Sequence, residues 1–308
     1  MAKTEEEITL AIENDILSIN IESYGEFERI LEVSKKLNKK VNCALRVNPD
    51  IAIGSHKYIQ TGSKTSKFGL DKESVLKISS QCEIDGPIKL TSVASHIGSQ
   101  ISDENLILES VDYLIEIADE LAKNGHNIEY LDIGGGLGIQ YRDEEEGSPK
   151  ILLEKVKELL SERDFKIILE PGRSVIGTAG ILVSKVEYIK EAGEKKFAII
   201  DAGMNDLIRP SLYEAWHRVM EVDHQNTDLD LYDLAGPVCE TGDVLAKDRN
   251  LKIMPGDHVA FMDVGAYGSV MTSNYNSRLR PIELLVTKDK VQVIKRKESF
   301  EDIVALET

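Results

Sequence analysis

The chain has 308 residues, 42% of them apolar and 30% charged, a globular balance that suits one or two domains, and we expect two. Its 54 acidic against 37 basic residues leave a formal charge of −17, which opposes nucleic acid or an anionic membrane as partner and favours a small-molecule substrate. No apolar run approaches the roughly 18 residues of a membrane span. Three widely spaced cysteines, Cys43, Cys82 and Cys239, signal neither a disulfide framework nor a zinc site and fit a reducing, cytoplasmic setting.

The charged residues 1–7 lack the apolar stretch of a signal peptide. Thr4 and Glu7 have capping-box spacing and predict a helix over 5–14. A strand over 17–21 follows, then helix 24–37, strand 41–47, helix 72–80, strand 90–95, helix 105–124, strand 128–133, helix 150–161 and strand 165–169. Five such αβ units predict parallel strands covered by helices. Beyond residue 179 the rhythm changes to β-branched segments punctuated by turns, "GILVSKVEYI", "KKFAIID", "DHVAFMD", "IELLVT" and "KVQVIKR". Residues 1–176 are therefore read as an α/β domain and 177–308 as a mostly antiparallel β domain.

In a parallel α/β array the residues just past the strand ends share one mouth, where sites are built. Here they are Glu22 and Ser23, Asn48 and Pro49, His96 with "IGSQ", "GGGLG" at 134–138 and "EPGR" at 170–173. Three glycines directly after a strand are either a tight turn or a cradle whose N–H groups meet a phosphate, and the spacing is not a dinucleotide fingerprint. His96 is either a satisfied strand-end residue or a flat ring for stacking on an aromatic cofactor. Glu170, expected to be buried, is suited to holding a proton on a heteroaromatic nitrogen. A phosphate cradle, a flat ring and a carboxylate together point to pyridoxal phosphate.

The stretches "ASHIGSQ", "DIGGGLG", "EPGRSVIG", "IRPSLYEAWH", "GPVCETGD" and "DVGAYGSVMTSNYNSR" jointly resemble the diaminopimelate decarboxylases, pyridoxal-phosphate enzymes of the alanine-racemase-like (β/α)8-barrel group. The resemblance implies a TIM-type barrel followed by the β domain. It implies that His96 stacks on the pyridine ring, that Ser99, Gly134, Gly135, Gly136, Gly172 and the backbone of the 170–173 turn lie at the cofactor and its phosphate, and that Glu170 pairs with the pyridine nitrogen. Arg173, Arg209 and Tyr213 would hold the substrate carboxylate that is retained, and Tyr267 would reach the cofactor phosphate and the substrate. Cys239 and Glu240 would act in the active site of the partner subunit of a homodimer, Glu240 meeting the distal ammonium. A substrate with a second carboxylate and a distal ammonium is meso-diaminopimelate, which yields L-lysine on losing carbon dioxide.

The family's cofactor lysine belongs to a "YAxKAN"-like motif that this chain lacks, and by the resemblance the chain starts in a helix with the first three barrel strands missing. The expectation is therefore a chain inactive in isolation, with open sheet edges that invite association. Lys67 in "SKTSKFGL" is not expected to substitute, and borohydride reduction followed by peptide mapping checks this. A related basic amino-acid decarboxylase and a non-catalytic remnant or split half are the alternatives. They differ in whether Arg209 and Glu240 govern turnover, and in whether carbon dioxide is released under any complementation.

Overall fold

Local sequence chemistry sets the helix ends. In the computed structural model, which describes residues 1–52, 66–144, 147–223 and 228–307, helix α1 (Glu5–Glu13) opens with the expected capping box. The Glu7 N–H donates to Thr4 Oγ1 at 3.2 Å and the Thr4 N–H donates to Glu7 Oε2 at 2.7 Å. Strand β1 (Ile19–Ile21) leads into α2 (Tyr24–Leu37), capped by Ser23 and closed by Asn38 in the left-handed region. The alternation continues through β2 (Val41–Arg46), α3 (Lys72–Gln81), β3 (Ile88–Ala94), α4 (Glu104–Lys123), β4 (Tyr130–Asp132), α5 (Pro149–Leu159), β5 (Lys166–Ile168) and the short α6 (Arg173–Ile176).

The five strands are parallel and lie in the order β1-β2-β3-β4-β5. Sequential order with no switch point is the arrangement of a barrel arc; a doubly wound sheet would reverse direction part-way. The parallel α/β layer expected from the alternation and the barrel-type fold implied by the resemblance are thus the ones observed. Register puts Ile21, Leu45, Val93, Leu131 and Ile167 in one row across the sheet. This row shares a continuous core with Ile8, Phe27, Ile30, Ile78, Leu114 and Ile117 of the helices. Each fully buried aliphatic or aromatic side chain there contributes about 1.5–3 kcal/mol relative to exposure. The next row, Arg46, Ala94, Asp132 and Ile168, faces the other way, because successive strand side chains alternate.

Packing divides the chain into two units, Met1–Ile139 with Glu145–Ser174, and Gln140–Glu144 with Val175–Thr308. The second unit contains β6 (Leu182–Ala192), β7 (Lys195–Ile200), α7 (Arg209–Tyr213), β8 (Val219–Glu221), β9 (Asp230–Ala235), β10 (Val244–Leu251), β11 (His258–Phe261), β12 (Glu283–Val286), β13 (Val291–Lys295) and α8 (Phe300–Val304). Six strands form one sheet in the order β10-β9-β7-β6-β11-β8, and β12 pairs with β13 apart from it. Every pairing is antiparallel except β7 with β9, in keeping with the mostly antiparallel expectation. The strands β9 and β10 carry too many charges, as in "DLYDLA", to stand out by apolar pattern, and β8 is only three residues long. Among the described residues no helix is long and apolar enough to cross a membrane.

Candidate active site

In the first unit the register that aligns Arg46, Ala94, Asp132 and Ile168 brings the residues two positions later, Asn48, His96, Gly134 and Glu170, to the same end of the sheet. Backbone bonds extend the ladder past the strands. The Ser95 N–H donates to the Asp132 carbonyl at 2.9 Å, the Ile133 N–H to Ile168 at 3.1 Å, and the Glu170 N–H to Gly134 at 2.8 Å. The His96, glycine and Glu170 loops therefore converge as the sequence suggested.

The glycines are required by this convergence. A Cβ on Gly134 would lie 2.4 Å from the Ser95 carbonyl oxygen, one on Gly135 2.1 Å from that of Glu170, and one on Gly136 2.1 Å from that of Gly98. The three loops stack backbone on backbone, so the absent side chains first serve loop packing; the open approach to a ligand read from the sequence is secondary. Among the described residues the N–H groups of Gly136 and Leu137 have no protein acceptor, which leaves two donors for an anion.

The Gly135 N–H donates to His96 Nδ1 at 3.2 Å. An accepting Nδ1 places the proton of the neutral ring on Nε2. Burial and the nearby Arg46 charge hold the His96 pKa below the ordinary histidine value, against a smaller opposing pull from Glu170. The ring is neutral and flat, as a stacking partner for a cationic pyridine requires.

Glu170 itself is exposed, which corrects the expectation of a buried carboxylate there. It follows β5, an edge strand of the sheet, and is covered from one side only. The carboxylate buried beside it is Asp132, 5% exposed, whose Oδ1 accepts the Gly134 N–H at 3.0 Å. Burial and the neighbouring Glu170 charge push Asp132 up to about 6, while the bonds from Gly134 and Asn20 oppose the shift.

Arg46 was not singled out in the sequence. Its Nη1 donates to Glu22 Oε1 at 2.6 Å, its guanidinium lies 5.0 Å from the Phe68 ring centre, and Glu22 Oε2 also accepts the Gly69 N–H at 3.3 Å. Burial raises the Glu22 pKa, but the Arg46 ion pair outweighs it and leaves the carboxyl below its ordinary value. An arginine at the last position of β2, on the row that leads to the mouth, was the available signal. Arg173, 5% exposed, donates from Nη2 to Ser99 Oγ at 3.2 Å, so these two predicted residues meet. Gly172 lies exposed in the turn before them. Lys67 is exposed, its ammonium 5.2 Å from the Phe68 ring centre, and residues 63–65 of its quoted stretch lie outside the described residues.

The second unit gathers the other candidates. Arg209 opens α7 and is 6% exposed, with Nη1 2.9 Å from His217 Nε2 and its guanidinium 4.9 Å from the Tyr141 ring centre. Tyr213 ends the same short helix, half-buried. The Ser211 hydroxyl donates to the Gly242 carbonyl at 2.8 Å and joins α7 to the 236–243 loop. Asp243 anchors that loop by accepting the Met204 N–H at 2.6 Å and the Val238 N–H at 2.7 Å. On the loop, Cys239 is exposed and Glu240 Oε2 accepts the Tyr275 hydroxyl at 2.6 Å. Tyr267 has φ +57° and is 43% exposed. A bulky residue in the left-handed region is strained, and two positions before it a Cβ on Gly265 would sit 2.0 Å from the Ile176 carbonyl oxygen. His217, Tyr141 and Tyr275 were missed as site residues, because their partners are distant in sequence or beyond a turn.

Residues 1–177 match the model of the pyridoxal-dependent decarboxylase, pyridoxal binding domain. The whole chain is 43% identical over 306 residues to the diaminopimelate decarboxylase of Aquifex aeolicus, covering 99% of this chain and 73% of the relative. The chain belongs to the diaminopimelate decarboxylase family. The Pseudomonas aeruginosa decarboxylase is 41% identical over 308 residues, covering 100% of this chain and 74% of the relative. Among solved structures, diaminopimelate decarboxylase from Helicobacter pylori complexed with L-lysine matches with a TM-score of 0.95 at 38% identity, over 100% of this chain and 77% of that one.

The donor set fits the cofactor of this decarboxylase family. The Gly136 and Leu137 N–H groups, the Ser99 hydroxyl and the Arg173 guanidinium suit a phosphate, the neutral His96 ring suits an aromatic face, and the exposed Glu170 carboxylate suits a protonated ring nitrogen.

Proposed function

We propose that this chain serves the pyridoxal-phosphate-dependent decarboxylation of meso-diaminopimelate to L-lysine, with turnover once the family's cofactor-lysine segment is supplied. The observation that carries the reading is the 2.8 Å bond from Glu170 N–H to Gly134 together with the 3.2 Å bond from Gly135 N–H to His96, inside a chain of this family. When bound, pyridoxal phosphate supplies a sink for the electrons released as carbon dioxide departs.

The chain's own residues bind and orient. Glu170 holds a proton at the pyridine nitrogen, and the buried Asp132 beside it keeps a negative field at that edge of the site. His96 covers one face of the ring without adding charge. The Gly136 and Leu137 N–H groups, on the loop that Gly134 and Gly135 shape, seat the phosphate with Ser99, Gly172 and Arg173, and Tyr267 reaches it too. Arg173, Arg209 and Tyr213 take the carboxylate that is retained; guanidinium forks hold a carboxylate in register where a point charge would not. Cys239 and Glu240 act in the active site of the partner subunit of a homodimer, Glu240 exchanging its Tyr275 hydroxyl for the distal ammonium. A formal charge of −17 supports the absence of nucleic-acid partners, and the cysteine usage supports a cytoplasmic setting.

Cofactor binding followed by absorbance is expected to saturate and to weaken about tenfold in Arg173→Ala, one lost charge-assisted bond. With the cofactor-lysine segment supplied, mass spectrometry should detect L-lysine formed from meso-diaminopimelate, with Arg209→Ala raising KM by a similar factor. Equal cofactor affinity in parent and variant, or no lysine under any complementation with the family's cofactor-lysine segment, would overturn the reading.

A further inference from the structure

We infer that His217 is the positioning residue of Arg209, aiming its guanidinium at the substrate carboxylate through a neutral ring protonated on Nδ1. This rests on the reading of Arg209 as a carboxylate grip.

The local chain path creates the contact. α7 ends after Tyr213, and Glu214 adopts φ +53°, a left-handed reversal in which the Ala215 N–H donates back to the Arg209 carbonyl at 3.3 Å. The chain turns back on itself, so His217, eight residues after Arg209 in sequence, returns to the start of the helix. His217 is 0% exposed.

Two hydrogen-bond partners then decide the tautomer. His217 Nδ1 is 2.9 Å from the Met262 carbonyl oxygen, which only accepts, so Nδ1 must carry the proton. The other nitrogen, Nε2, faces Arg209 Nη1 at 2.9 Å, and a guanidinium only donates, so Nε2 must present its lone pair. One neutral tautomer satisfies both contacts, and an imidazolium would point a proton at a cation. Tyr141, 7% exposed, closes the arrangement. Its ring lies 4.9 Å from the guanidinium carbon and meets the His217 ring edge-on at 5.3 Å and 83°. The backbone of Tyr141 is fixed in turn by Glu144, whose Oε2 accepts the Tyr141 N–H at 3.0 Å and the Arg142 N–H at 2.7 Å.

The chemistry of this clamp matters for function. A carboxylate in the place of His217 would orient the guanidinium and neutralise it in the same contact. A neutral imidazole and an aromatic face orient it while leaving its charge to act on a ligand.

The test needs no loaded enzyme. Long-range 15N–1H NMR of the unmodified chain should show His217 as the neutral Nδ1–H form, and a Nε2–H or doubly protonated ring at neutral pH would overturn the inference. In arginine-labelled chain, the Arg209 Nη protons should be resolved and slow to exchange. They should collapse in His217→Phe, which keeps the ring but not the acceptor, and return in His217→Gln, which restores an acceptor. Calorimetric affinity for L-lysine, which carries the retained carboxylate, should fall about tenfold in H217F and stay within about threefold in H217Q. Unchanged Arg209 signals in H217F, or equal lysine affinity in parent and H217F, would sink the proposal. A parent chain that does not bind L-lysine would overturn the carboxylate role of Arg209, and the two NMR measurements would still decide the His217 contact. Should H217F fail to fold, the tautomer measurement on the parent and the H217Q spectra decide alone.

Discussion

The two units bury charge for different purposes. In the first, Glu22, Arg46, Asp132 and Arg173, buried or half-buried, gather at the strand ends, with a mostly aliphatic core behind them. In the second, buried carboxylates serve as fasteners of the backbone, including that of the loop that carries Cys239 and Glu240. Asp206 accepts the Gly203 N–H at 2.9 Å, Asp257 accepts that of Met254 at 2.9 Å, and Asp243 accepts two N–H groups. Parallel strands joined by helices satisfy most of their own backbone, and the first unit uses a buried carboxylate as a fastener where the chain turns from strand to helix, Glu26 accepting the Glu22 N–H at 2.8 Å. The irregular connections of a β unit leave N–H groups that side chains must satisfy.

The difference can be broken or sharpened by mutation. The largest effect is expected where loops of the first unit stack backbone on backbone. Gly136 has φ +95° and its Cβ would meet a carbonyl oxygen at 2.1 Å, so Gly136→Ala should cost about 3–5 kcal/mol in urea unfolding. The equivalent change at Gly193, a turn of the second unit with φ +65° and open space around it, should cost about 1 kcal/mol. Equal costs would show that the mouth loops are not rigidly stacked.

A smaller loss is expected when a fastener of the second unit is cut. Asp243→Ala strands the N–H groups of Met204 and Val238 and should cost about 2–4 kcal/mol, part of it recovered by Asp243→Asn. A loss below about 0.5 kcal/mol would mean that water replaces the carboxylate and that the contrast between the units is overstated.

The smallest effect has the opposite sign. Asp132 sits at about 6 against an ordinary 3.8, so the folded state holds its proton more tightly than the unfolded chain. Its contribution to stability is present below about pH 4 and is lost as pH rises through 6. Asp132→Asn should therefore stabilise the chain at pH 7.5 by on the order of 1–3 kcal/mol and change little at pH 4. Denaturant midpoints at the two pH values check this, and a variant equally shifted at both would remove the charge argument.

Much of the first unit was legible from the amino-acid order. Helix periodicity, the Thr4–Glu7 cap and the apolar strands are local signals, and they predicted α2 over the residues it occupies, 24–37. β4 proved shorter than expected, Tyr130–Asp132 instead of 128–133, because the ladder bonds run on through Glu129 and Ile133 without regular strand geometry. The pairing of Arg173 with Ser99 and of His96 with Gly135 followed once the strand ends were aligned. Arg46, Asp132 and His217 were not legible in the same way, since each draws its importance from a neighbour met only after folding.

The sequence by itself determined the alternation of helices and strands, the family, and which residue types stand at the strand ends, because these depend on short-range pattern and composition. The tertiary structure alone decided that the three glycines are needed against the carbonyls of Ser95, Glu170 and Gly98, that Asp132 is buried and Glu170 is not, and that the path through Glu214 brings His217 to Arg209. Steric exclusion, desolvation and tautomer choice are properties of what surrounds an atom, and the order of residues along a chain does not specify its surroundings.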